Sequence, residues 1–171
     1  MPRKFFKRIM PSHTEIKEHK YLSIFGEALH NPNLWHMNRR SVAGAFAVGL
    51  FFMWVPIPSQ MVMAAAAAII FHTNLPLSVV IVWISNPITI PPMFYFAYLV
   101  GTWILGEPVQ NFEFQLTFEW LQNELETSWK PFLTGCFVLA TASSIIGYFS
   151  ISQFWTYAVR KERSRRLGKT K

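Results

Sequence analysis

Residues 41–106 read SVAGAFAVGLFFMWVPIPSQMVMAAAAAIIFHTNLPLSVVIVWISNPITIPPMFYFAYLVGTWILG, and contain no Asp, Glu, Lys or Arg. Two interruptions within them decide the fold: Val55-Pro56-Ile57-Pro58 and Asn86-Pro87. The first divides block 41–72 into halves 41–54 and 59–71; the second divides block 76–106 into 77–85 and 93–105. Fourteen helical residues cover about 21 Å, short of the roughly 30 Å hydrocarbon core of a bilayer. Neither half of the first block is therefore long enough to span alone. Each proline removes a backbone donor and clashes with the preceding turn, so Pro56 and Pro58 together make a true break. Ser59 is the expected N-cap of the next half-helix, and Asn86 that of a helix with Pro87 at its first position.

Working outward, residues 131–159 form a second charge-free stretch, which predicts one uninterrupted helix long enough to span even when tilted. Ala140/Ser144 and Ser143/Gly147 place small residues four apart, which permits close helix packing. Trp129 at one end, with Trp155 and Tyr157 at the other, marks the two expected interfaces. Between the apolar blocks lies loop 107–130, which holds five of the nine carboxylates. Segments 1–40 and 160–171 carry eight and seven Lys/Arg. The fold class predicted is all-α: an integral membrane helical bundle with two Pro/Asn-interrupted, re-entrant or spanning, segments and one long C-terminal transmembrane helix. It is preceded by a basic amphipathic interfacial segment, 1–40, with Tyr21, Leu22, Phe25 and Leu29 on one helical face, and followed by a basic tail, 160–171.

Basic termini and an acidic loop set the topology. The positive-inside rule places both termini in the cytoplasm and loop 107–130 outside. The stretch 41–106 must then cross an odd number of times. Either there are three crossings, or one block is a re-entrant hairpin and the other a span.

Composition excludes several functions. Half the residues are hydrophobic (51%) and only 15% charged, against roughly 25% charged in soluble chains. The net charge of +7 sits at membrane-flanking positions, so no nucleic acid partner is expected. Glu27 and His30 are one pair of ligand type with no second pair beside them, and no metal or other cofactor is expected. The chain has no Asp, no HExxH array and no evident base beside Ser59 or Ser85, so no catalytic residue is assigned. The broken region also lacks any carboxylate, which argues against proton coupling through a buried acid; His72 reads as interfacial. Cys136 reads as a small buried hydrophobe.

Non-helical backbone inside a bilayer survives only where protein or a water-filled cavity satisfies it. Paired interrupted segments point to a substrate site at half-helix N-termini, which carry free N–H groups and partial positive charge. The candidate binding residues are Pro56, Pro58, Ser59, Gln60, Asn74, Asn86, Pro87 and Thr89 at the breaks, with Arg39 and Arg40 at the mouth. Gly44, Gly49 and Gly101 are expected to be structural. The expected function is a small transporter or lipid- or envelope-precursor-handling protein for an anionic or amphipathic substrate. The alternative is a non-catalytic accessory or scaffold subunit docked through the small-residue faces 64–68 and 140–147. Membrane lipids are the expected surroundings, with a homo-oligomer or an envelope-synthesis enzyme as the protein partners considered.

Five pieces in order resemble one bacterial family: residues 43–51, Pro56-Ile57-Pro58-Ser59-Gln60, Asn74-Leu75-Pro76, residues 83–89 with Asn86-Pro87-Ile88-Thr89, and the run from Tyr95 to Gly101. Together, over about residues 20–160, they resemble the DUF2062 membrane proteins. The resemblance implies a multi-pass protein of the bacterial inner membrane. Relatives joined to glycosyltransferase-like domains add a hint of envelope glycan or lipid work, although this sequence has no such domain.

Overall fold

Asn38 begins the first helix: its backbone is extended and its Oδ1 accepts from the Ser41 amide at 2.8 Å. Helix α1 then runs Arg39–Phe52. The computed structural model describes Leu34 and residues 37–108 and 118–167, with backbone only at 118–128 and 165–167. The interfacial helices expected before Leu34, with Glu27 and His30, lie outside the described residues, as does His36.

Four further helices follow: α2 Gln60–Ile70, α3 Leu75–Val82, α4 Ile90–Leu105 and α5 Phe118–Leu167. Every described regular element is helical, as the composition predicts. α2 folds back antiparallel to α1, so that Thr73 comes to rest over Gly44, and the Asn74 amide donates to the Ser41 carbonyl at 3.3 Å. There the chain turns again. Asn74, fully buried, caps α3 by accepting from the Leu77 amide at 3.1 Å, and Pro76 occupies a first-turn position that needs no donor. α3 runs alongside α1 with Gly49 against Ile81 and the Ser78 carbonyl. Ala64, Ala65, Ala67 and Ala68 of α2 are buried in two small clusters, with Val48 and Val82 on one side and Leu34, Leu75 and Val79 on the other. Three short helices thus share one end of the molecule.

α5 is the rail along which the rest is ordered. Arg39 at the start of α1 reaches Thr156, Gly147 lies against Leu50 and the Phe46 carbonyl, and the Ser143 hydroxyl donates to the Leu50 carbonyl at 3.2 Å. Further back along α5, Gly135 meets the Ala97 carbonyl, and Pro131 meets Gly101. α1 and α4 are therefore stacked end to end along α5, both antiparallel to it. The handover falls near Ala140, where Met53 and Trp54 from the first break pack with Phe94 and Tyr98 of α4 and with Phe132 and Cys136 of α5. The charge-free stretch 131–159 has its middle at residue 145. Both breaks thus lie beside the central part of that stretch.

Four features differ from expectation. α5 does not begin at residue 131 but at Phe118, and it runs on into the basic tail. Pro131 sits inside it, buried where α4 crosses at Gly101. Ser59 makes no side-chain cap, because its backbone (φ −89, ψ 14) is not extended. α4 starts at Ile90 rather than Pro87. That later start puts Pro91 and Pro92 in the first turn, where missing donors cost nothing; a start at Pro87 would break two intrahelical bonds. Trp155, expected at an interface, is instead buried against Val42, Ala45, Leu77 and Ile81, whereas Trp129 and Tyr157 are exposed.

The outer surface is apolar. Trp103, Ile88, Ile70 and Phe137 are 84%, 85%, 70% and 66% exposed, far beyond the scattered apolar exposure of a water-facing protein. Trp129–Ser164 is the one described helical stretch both long and apolar enough to cross a membrane.

Candidate functional site

The two breaks meet through Gln60. Its carboxamide lies 3.2 and 3.1 Å from the carbonyls of Phe52 and Val55, and 2.8 Å from the Ser85 hydroxyl. Both carbonyls also accept from the amides of Val55 and Ile57, and a carbonyl can face only a donor, so the amide nitrogen is turned toward them and Oε1 toward Ser85. The Ser85 hydroxyl has one proton for two acceptors, Gln60 Oε1 and the Val82 carbonyl at 2.7 Å. Gln60 thereby caps the frayed C-terminus of α1 and ties it to the end of α3. Beside it, Trp83 Nε1 donates to Met61 Sδ at 3.2 Å.

The second break satisfies itself. Asn86 Oδ1 accepts from the amides of Ile88 and Thr89 at 2.9 and 3.1 Å. Thr89 Oγ1 accepts from the Asn86 amide and donates to the Ile84 carbonyl. Pro87 and Ile88 are held outward and exposed. Pro56 is half-buried and Pro58 and Ser59 are exposed around the first turn.

A cleft of about 850 Å³ lies on the other side of α1, between it, the end of α2 and α5. From α1 it takes Arg40, Gly44, Ala47, Val48 and Phe51, which recur at three- and four-residue steps and so form one face. Its mouth is polar: Asn38, Arg40, Ser41, His72 and Thr73. Its depth is apolar, ending at Phe51 and Phe52 beside the first break, with Ser144 and Tyr148 of α5 forming the far wall. Among the described residues no carboxylate lines it. His72 stands at the rim with φ 52, a left-handed conformation that side-chain-bearing residues rarely adopt.

The sequence-derived candidates therefore separate. Gln60 is brought to the junction; Asn86, Pro87 and Thr89 form the adjoining turn; Asn74 is a buried cap at the opposite end of α3. Arg40 enters the cleft. Arg39 turns away, with Nη1 donating to Thr156 at 3.3 Å, into a smaller groove shared with Gln153 and Arg160. Gly44, Gly49 and Gly101 each sit where an added Cβ would collide with a neighbouring helix or loop. Ser41, His72, Thr73, Ser144 and Tyr148 were not singled out as site residues. Nothing local marks them, because they converge from three separate helix ends and faces.

Fold and site together define an all-helical protein with a single described helix suited to crossing a membrane and an amphipathic cleft beside it. The chain belongs to a bacterial family described as uncharacterized protein conserved in bacteria (DUF2062), which matches it over residues 22–164. No curated protein and no solved structure matches the chain.

Proposed function

We propose that this protein is a small multi-pass protein of the bacterial inner membrane that binds an anionic amphiphile and moves it between the two leaflets. The cleft along α1 carries the proposal: a polar mouth, without a carboxylate among the described residues, over an apolar trough that ends beside the broken helices suits a molecule with a charged head and an apolar tail. The threading proposed is a re-entrant α1–α2 hairpin entering from the cytoplasm, a broken span α3–α4, and a second span α5. Lengths support it. α1 covers about 21 Å, too little to cross, whereas α3 and α4 laid end to end cover about 36 Å. This threading keeps both termini cytoplasmic and loop 107–130 outside. In it, Gln60, Asn86 and Thr89 keep the interrupted backbone satisfied at mid-depth, and Arg40 meets the substrate.

The accessory-subunit alternative is less well supported. Ala64–Ala68 and the small residues of 140–147 would have been its docking faces, but much of both is already packed against the chain's own helices.

The test is reconstitution of the full chain in liposomes containing a tail-labelled fluorescent anionic phospholipid, with dithionite added outside. The native protein is expected to expose inner-leaflet label faster than protein-free vesicles do. Ser144→Phe, which fills the cleft from α5, is expected to return the rate to the protein-free value. A native rate no faster than empty vesicles sinks the proposal. Cysteines replacing His72 and Glu107 report the threading, since the native Cys136 is buried. Labelling of both positions from the same side rules the threading out.

A further inference from the structure

We infer that the mouth of the cleft is a phosphate site, in which Arg40, His72 and the hydroxyls of Ser41 and Thr73 receive the phosphate of a lipid whose chain lies toward Phe51. This deepens the proposed function by naming the head group. Three independent observations converge on it.

The first is charge. Arg40 is exposed, lines the cleft, and has no hydrogen bond or ion pair among the described residues, while the lining holds no competing carboxylate. It also sits in the first turn of α1, where backbone N–H groups lack intrahelical acceptors and the helix end is electropositive. The C-terminus of α2 ends at the same rim and would oppose an anion. Its carbonyls are engaged, however: Ala67, Ala68 and Ile69 accept from the amides of Phe71, Thr73 and His72.

The second is a pair of hydroxyls. Ser41 and Thr73 are 5% and 6% exposed, both line the cleft, and neither Oγ has a hydrogen-bond partner among the described residues. Elsewhere in the helices Ser78, Thr102, Thr141 and Thr156 turn their hydroxyls back onto a carbonyl of their own helix. Ser41 does not. A buried unpaired hydroxyl costs about 1–3 kcal/mol, and an acceptor oxygen arriving in the cleft mouth would remove that cost.

The third is His72. The position closes α2 in the left-handed region, where glycine or asparagine is the usual occupant. A histidine held there at the expense of backbone strain places an imidazole on the cleft that Arg40 also lines.

Native mass spectrometry of the full chain in a neutral detergent tests this with three probes: phosphatidic acid, diacylglycerol and inorganic phosphate. One phosphatidic acid is expected to be retained, with affinity above both others. Arg40→Ala is expected to weaken it about tenfold, the loss of one charge-assisted pair. Arg39→Ala, facing the other groove, is expected to change it less than about twofold, because that guanidinium is more than a helix face away. His72→Gly is expected to weaken binding while leaving the melting temperature unchanged or higher, since glycine relieves the strain; a merely structural histidine would give no loss of binding. Equal binding of phosphatidic acid and diacylglycerol overturns the proposal, as do equal losses in the two arginine variants. Inorganic phosphate bound as tightly as phosphatidic acid overturns the lipid half, because the apolar trough would then contribute nothing. Binding is read without transport, so this site and the leaflet-to-leaflet function can fail separately.

Discussion

Gly101→Ala and Gly135→Ala are each expected to pull α4 away from α5 and to cost the protein a large share of its stability margin. A Cβ on Gly101 would lie 1.7 Å from the Pro131 carbonyl oxygen, and one on Gly135 1.7 Å from that of Ala97. Both obstacles are backbone, so no rotamer change relieves them, and the two helices must separate along their crossing. Overpacking of this kind costs about 3 kcal/mol or more, out of a total of roughly 5–15 kcal/mol. For a chain of this size that corresponds to a fall of about 10 °C in the melting temperature. The measurement is monodispersity by size exclusion after stepwise heating in detergent. Gly106→Ala is the control: its φ is 69 but nothing lies within 4 Å of the new methyl, so only about 1–2 kcal/mol of left-handed strain is at stake. A control as damaging as either crossing variant would remove close approach as the reason for these glycines. The double variant is expected to cost less than the sum of the singles, because the helices need to separate only once.

That crossing shows where sequence reasoning reaches its limit. Gly101 stood out because it interrupts an apolar helix. Gly135 did not, because it lies within a long span where a small residue is unremarkable; only its partner's position gives it meaning. The breaks were legible since proline chemistry is local: a missing donor is missing in any fold. Their caps were less so. Asn86 does accept backbone amides, but the helix waits for Pro91 and Pro92 to fall in its first turn, a choice between competing starts that N-cap preference alone does not make. The choice between three crossings and a re-entrant hairpin was open because charge satisfies both. The proposed hairpin threading rests on the pairing of Gly44 with Thr73 and of Gly49 with Ile81, which folds the first three helices against one another. The cleft was the least visible feature. Its mouth brings together Arg40 and His72, and its far wall Tyr148, and no period or spacing links the three. Arg39 and Arg40 look equivalent in sequence, yet a helix turns adjacent side chains about 100° apart, and that rotation alone sends one to Thr156 and the other into the cleft.

Gln60→Leu is expected to be the most damaging substitution at the breaks, and its comparison with Ser85→Ala tests how the amide is oriented. With the nitrogen toward Phe52 and Val55, leucine removes the second donor from two carbonyls that keep their backbone partners, the amides of Val55 and Ile57 at 3.1 and 2.8 Å. Each lost hydrogen bond is worth about 1 kcal/mol, so with the contact to Ser85 the loss is on the order of 3 kcal/mol. Ser85→Ala removes only an interaction that Gln60 receives, and leaves both carbonyls capped; its cost is expected near 1 kcal/mol, about that of one ordinary hydrogen bond. The opposite amide orientation, with Nε2 donating to Ser85, makes the serine and glutamine variants nearly equal, because Gln60 would then donate nothing to the two carbonyls in the native protein either. Thermal melts of the two singles and the double decide between them. Gln60→Glu sharpens the comparison: an ionised carboxylate is as large as the amide but faces the two carbonyls as an acceptor. It is therefore expected to match or exceed leucine in damage despite preserving shape. A glutamate variant as stable as the native protein would show that volume, rather than the donated hydrogens, is what the junction requires of residue 60.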